Sequence, residues 1–243
     1  MNYEEYKQKT TISHTRTYNK TPLGFVYVPK TAGTYLSMRV LPEIYGNDSK
    51  TTPSKTHMPA SKVQSIIGDE TPLFTVVRNP YDRNCSEYYF LKDKVQASIE
   101  YFNWDMTDTK KIKFAASFVS KITESEKFFD KIYNMYTHSM SVEDYLEWCV
   151  ENPTYPFYFD TKNPKDFDIV GSTEDMTMTT DLLKKMYDVT SGNGDKNENI
   201  GKKIKEPYIT NYSRKDFENK SIIEYELYYQ GINKFNQLCR EYL

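Results

Sequence analysis

The chain has 243 residues, enough for one large domain or two small ones with a buried core. A formal net charge of -2, with charged residues at 27%, excludes a global basic field for nucleic acid and an acidic tail, and leaves room for a local basic pocket. Three cysteines (Cys85, Cys149, Cys239) and three histidines (His14, His57, His138) are scattered without ligand spacing, so neither a disulfide framework nor a metal site is expected.

Residues 1–20 are polar and read as a loose lead-in to a single domain over 1–243. They resemble neither a signal peptide nor an anchor, and no stretch approaches the ~18 apolar residues of a membrane span. A soluble, cytoplasmic protein is the expectation. Residues 23–28, Leu-Gly-Phe-Val-Tyr-Val, form an apolar, β-rich run that predicts a buried strand. Residues 29–33 break it. Helical spacing follows over 34–45, with Pro42 expected to kink or end the helix. A polar loop covers 46–56. Residues 59–67 read as a short helix stopped by Gly68.

Residues 73–77, Leu-Phe-Thr-Val-Val, predict a second buried strand, and Pro80 opens a helix over 81–92. Helical spacing runs through 95–150, with Ser141 as a cap. Three prolines in 152–166 predict loop with an edge strand. A third strand is expected at 167–170, a helix at 176–189, a Gly/Asn/Lys-rich mobile loop at 191–204, and terminal helices over 212–243. Alternating strands and helices predict an α/β fold: a P-loop-like, mostly parallel central sheet flanked by helices, with a helical C-terminal part. Ligands of such sheets sit at the carboxyl ends of the strands.

Two motifs fall at such ends. Val28-Pro29-Lys30-Thr31-Ala32-Gly33-Thr34 joins a strand to a helix through a tight loop of small residues. Backbone N–H groups at the helix start, aided by its dipole, attract an anion there. Gly33 would let the backbone approach a phosphate, Thr34 adds a hydroxyl, and Lys30 adds positive charge. The nucleotide P-loop order, with lysine after glycine, is absent. The second motif, Arg78-Asn79-Pro80-Tyr81-Asp82-Arg83, places a guanidinium at a strand end and Ser86 on the following helix. Together they offer charge-assisted bonds to a second phosphate.

This pair of motifs resembles the sulfotransferase superfamily, most closely its carbohydrate branch of heparan sulfate O-sulfotransferases and bacterial relatives. Members carry a Pro-Lys-Thr-Gly-Gly-Thr-Ser-like loop after the first strand, then Arg-Asn-Pro-Tyr-Asp-Arg followed by Ser. The resemblance implies that 3'-phosphoadenosine-5'-phosphosulfate (PAPS) is the co-substrate, without a metal. Pro29, Lys30, Thr31, Ala32, Gly33, Thr34 and Tyr35 would hold its 5'-phosphosulfate, and Arg78 and Ser86 its 3'-phosphate. A fainter echo runs through Phe167-Asp168-Ile169-Val170-Gly171 to Glu174. Tyr35 stands where relatives often have Ser, and Ser172 where they often have Arg.

Sulfuryl transfer needs a base for the acceptor hydroxyl and a cation at the leaving phosphate. His57, between the two motifs and ahead of a helix, is the catalytic base candidate, and relatives often carry a His there. Lys30 serves the leaving group. Glu43 and Glu87 are weaker base candidates. The basic run 202–205 reads as a solvated charge run or a cover for the nucleotide. The implied acceptor is a carbohydrate hydroxyl, with a lipid glycan, tyrosine or a small alcohol left open; no nucleic acid partner is expected. Two other readings remain: a phosphotransferase using the same strand–loop–helix geometry, and a module that binds an adenine nucleotide without chemistry.

Overall fold

The computed structural model describes residues 23–45, 57–102, 111–114, 116–117, 126–137, 139–187 and 212–243. Three short strands, β1 (Gly24–Val26), β2 (Leu73–Val77) and β3 (Ile169–Ser172), form a parallel sheet in the order β1-β2-β3. Phe25 pairs with Phe74 across β1 and β2, and Val77 with Ser172 across β2 and β3. All strands run the same way, so their carboxyl ends, and the loops after Val28, Val77 and Ser172, gather at one edge of the sheet.

The helices, in chain order, are α1 (Gly33–Tyr35), α2 (Leu41–Tyr45), α3 (Ala60–Ile67), α4 (Pro80–Phe102), α5 (Glu126–Thr137), α6 (Val142–Glu151), α7 (Tyr155–Tyr158), α8 (Met176–Met186), α9 (Arg214–Lys220) and α10 (Ile222–Tyr242). Side chains alternate along a strand, so each strand feeds two cores. Val26, Leu73, Val77 and Val170 pack on one face with Tyr81, Cys85, Tyr88 and Leu91 of α4, Tyr145 and Leu146 of α6, and Tyr155 of α7. Phe25, Phe74, Val76 and Ile169 pack on the other with Leu36, Leu41, Leu182 and Phe235. Every residue of β2 is buried, as a central parallel strand covered on both faces requires. Each such aliphatic or aromatic side chain contributes roughly 1.5–3 kcal/mol on burial. α10 serves both cores, with Tyr225 and Tyr228 in the first and Phe235 and Leu238 in the second. At the crossover, a Cβ on Gly231 would lie 2.6 Å from Val77 Cγ1, so only glycine lets the helix come this close to β2.

The α/β class and the parallel sheet agree with the sequence, and several boundaries are corrected. β1 is shorter than the 23–28 run, because Val28 and Pro29 already turn into the loop. The helix after that loop does not stop at Pro42. A π turn over Leu36–Val40 precedes α2, with the Leu41 N–H donating to the Leu36 carbonyl. Widening the turn here relieves the clash that a proline ring makes with the carbonyl four residues back. α4 extends to Phe102, ten residues past the expected end. No edge strand occurs in 152–166: Asn152–Asp166 instead holds α7 and a 3-10 turn, Pro164–Asp166. β3 lies two residues later than expected. Ser141 caps α6 as predicted, in a capping box with Asp144. The lead-in 1–20, the loops 46–56 and 191–204, the lysines of 202–205, and His14 and His138 lie outside the described residues. Among the described residues, no helix is long and apolar enough to cross a membrane.

Candidate active site

The first loop is held in an unusual backbone state. Lys30 and Ala32 both have positive φ, 64° and 61°, in the left-handed region that costs non-glycine residues about 1 kcal/mol or more each. Thr31 between them is fully buried and donates its hydroxyl to the Val28 carbonyl at 2.8 Å. That bond pins the turn. Ala32, left-handed, passes into Gly33, the first residue of α1. A left-handed residue followed by a right-handed one turns successive backbone N–H groups toward one concave side.

Tyr27 lies under this loop. Its ring stacks on Phe25 (5.6 Å) and packs against His57 (4.2 Å), and its hydroxyl pairs with Thr34 Oγ1 at 3.2 Å. The space beside Gly33 is filled by the Tyr27 ring, which a Cβ there would overlap. Gly33 therefore admits an aromatic ring, where the sequence suggested room for a phosphate. Thr34 is exposed, and Tyr35 packs half-buried against the second core.

His57 is tied to the same strand end. Its Nδ1 donates to the Tyr27 carbonyl at 3.0 Å. A carbonyl only accepts, so the proton of the neutral ring sits on Nδ1 and the lone pair on Nε2. Burial pushes the His57 pKa down, and the nearby Lys30 charge adds to that; the Tyr27 carbonyl bond and Glu87 act the other way. The ring is thus neutral at neutral pH, the state a proton acceptor needs.

Lys30 carries its ammonium 4.2 Å from the centre of the Phe90 ring. Burial, then the Arg78 guanidinium, lowers its pKa to about 8. Arg78 comes from the end of β2, and its Nη1 donates to the Lys30 carbonyl at 3.1 Å. The two sequence motifs therefore meet in space. Ser86 is buried on α4 one helical turn before Phe90, on the face that meets Lys30.

The second motif is braced from several sides. Asn79 Oδ1 accepts from the Tyr81 and Asp82 amides, capping α4, with Pro80 in its first position. Glu174 Oε1 accepts from the Asn79 amide at 2.6 Å, while Ser172 donates its hydroxyl to Glu174 Oε2 at 2.7 Å. Ser172 thus orients a carboxylate. Arg83 is fully buried and pairs with Glu224 at 3.3 Å. Four residues on, Glu87 is also fully buried, pairing with Lys131 and accepting from the Tyr145 hydroxyl at 2.8 Å. Burial alone would raise the Glu87 pKa, but Lys131 and Arg83 bring it below the usual carboxylate value. Two buried cations and two buried anions therefore balance behind the site. Glu87 is a member of that set rather than a proton acceptor at the loop. Glu43 is exposed and pairs with Lys184 at 2.5 Å.

The sequence pointed to Lys30, His57, Arg78 and Ser86; the contacts around them add Tyr27, Phe90 and Tyr155, which it did not single out. Phe90 follows Ser86 by one helical turn and could have been found by that spacing. Tyr155 reaches the site only through tertiary structure, where its hydroxyl accepts from the Arg78 amide. No family model, curated protein or solved structure matches this chain.

Proposed function

We propose that this chain is a PAPS-dependent sulfotransferase that transfers a sulfuryl group to a hydroxyl, a carbohydrate hydroxyl being the acceptor class its motifs suggest. One observation carries the reading: the Arg78 guanidinium reaches the Lys30 carbonyl, so two anion-seeking groups far apart in sequence converge at the carboxyl edge of a parallel sheet. A P-loop-like role for residues 29–35 fits this, with the amides after Ala32, the Thr34 hydroxyl and the Lys30 ammonium around the 5'-phosphosulfate. Arg78 and Ser86 take the 3'-phosphate. The donor set suits the group: burial, and after it the Arg78 guanidinium, lowers the Lys30 pKa to about 8, and an anion bound between the two cations offsets that cost.

In this reaction, the acceptor oxygen attacks sulfur in line. The new S–O bond forms as the bond to the 5'-phosphate oxygen breaks, releasing 3'-phosphoadenosine-5'-phosphate (PAP). His57 Nε2 takes the hydroxyl proton, and Lys30 stabilises the charge left on the phosphate. The motifs argue for the donor; the acceptor class rests on the resemblance alone.

The test is sulfate transfer from sulfur-labelled PAPS to a panel of glycans and small alcohols. The wild type labels at least one acceptor, and His57→Ala transfers about 10²–10⁴-fold more slowly while still binding PAP. A wild type that binds PAP yet labels nothing leaves only a binding module. Magnesium-dependent phosphate transfer from ATP would instead make it a phosphotransferase.

A further inference from the structure

We propose that Tyr155 is the positioning residue for Arg78, its hydroxyl fixing the backbone from which that guanidinium reaches across to the Lys30 loop. The significance for binding rests on Arg78 being an anion anchor, as argued above; the clamp itself does not. The β2–β3 pairing ends at Val77 and Ser172, and the Val77 carbonyl accepts from both the Thr173 amide and hydroxyl, at 3.0 and 2.9 Å. Arg78 is the first residue beyond the sheet. Its N–H donates to the Tyr155 hydroxyl at 2.7 Å, and that hydroxyl donates back to the Arg78 carbonyl at 2.5 Å. One phenol thus supplies both backbone partners the sheet no longer offers. The far end of the same side chain is set by the Lys30 carbonyl at 3.1 Å.

Tyr155 has little freedom of its own. It is fully buried, its ring stacks on Phe159 at 5.2 Å, and the Arg83 guanidinium lies 5.1 Å from its ring centre. Its amide donates to Glu224 Oε1 at 3.1 Å, alongside the Thr154 amide, and Glu224 is ion-paired with Arg83. The chain of support therefore runs from the last helix through α7 to Arg78. Burial pushes the phenol pKa up, so the hydroxyl keeps the proton it needs to accept and donate at once. A buried phenol requires hydrogen bonds in any protein. Here both go to one residue, and that residue carries the anchor of the second motif.

Tyr155→Phe keeps the ring and its stacking and removes only the hydroxyl. Two measurements on the full chain decide the matter. In calorimetric titration with PAP, Tyr155→Phe weakens binding about 10-fold. The loss vanishes when the same change is made in Arg78→Ala, because a residue acting through Arg78 has nothing left to position. Tyr158→Phe, a buried phenol on the same turn, leaves PAP affinity unchanged. Equal losses in both backgrounds, or none in either, overturn the proposal. Without nucleotide, hydrogen–deuterium exchange of a peptide spanning 73–81 reads the clamp directly. Faster exchange in Tyr155→Phe supports it, and unchanged exchange overturns it even if wild type proves not to bind PAP, a result that would separately end the sulfotransferase reading.

Discussion

Lys30 and His57 are opposite cases of burial acting on a base. His57 must be neutral to accept a proton, and burial helps by lowering its pKa below 6.5. Lys30 must be charged to stabilise a leaving phosphate, and burial with Arg78 beside it opposes this, leaving a pKa of about 8. The rate in kcat/KM should therefore be bell-shaped. It falls at acid pH, below the ordinary histidine range, as the buried His57 gains a proton, and falls again above about pH 8 as Lys30 loses one; His57→Ala abolishes the acid limb. In kcat the alkaline limb moves upward, because bound anionic substrate favours the charged lysine. Gly33 yields a second expectation at this scale. Gly33→Ala would press a methyl into the Tyr27 ring, which Phe25 and His57 hold on its other sides. A loss of about 1–3 kcal/mol in urea unfolding is expected, with slower transfer because the His57 carbonyl partner shifts with the ring.

The elements differ in what holds them. α6 is secured at its start by the Ser141–Asp144 box, an exposed and local device. Ser141→Ala should cost about 1 kcal/mol and lower Tm by roughly 2–4 °C without changing PAP affinity. α4 and α10 are joined by Arg83 and Glu224, both out of water, with the Thr154 and Tyr155 amides completing the carboxylate. Removing one partner strands the other charge, so Glu224→Ala should cost roughly 3–5 kcal/mol by the same unfolding measurement. Exposed pairs such as Lys220–Glu147 are screened by water and contribute little, so Lys220→Ala should leave Tm nearly unchanged. Arg83 was visible in the sequence only as part of a motif with Arg78. Its four-residue spacing from Glu87 puts both on one face of α4, and the structure turns that face inward.

Across the whole molecule, local signals carried the fold. Leu73–Val77 announced itself as a buried strand through an apolar, β-rich run between turn residues, and Ser141 as a cap through its acidic first turn. Asn152–Asp166 is mostly loop as expected, but it holds the short helix α7 and no edge strand, since proline is tolerated in the first turn of a helix. The candidate site was legible where chemistry lies in short motifs: Lys30, Arg78 and, by its place between them, His57. Tyr155 and the Glu224 that supports it were not, since their partners Arg78 and Arg83 lie 77 and 141 residues away in the chain and no local pattern encodes such pairings. What the fold adds is convergence of the two motifs at one edge of the sheet. Its most direct test is calorimetric titration of wild type and Arg78→Ala with PAP and with ADP, with and without magnesium. Wild type should bind PAP about 30-fold or more tighter than ADP, independently of magnesium, and Arg78→Ala should lose that preference. Equal affinity for the two nucleotides, or a preference for ADP that needs magnesium, would contradict the account.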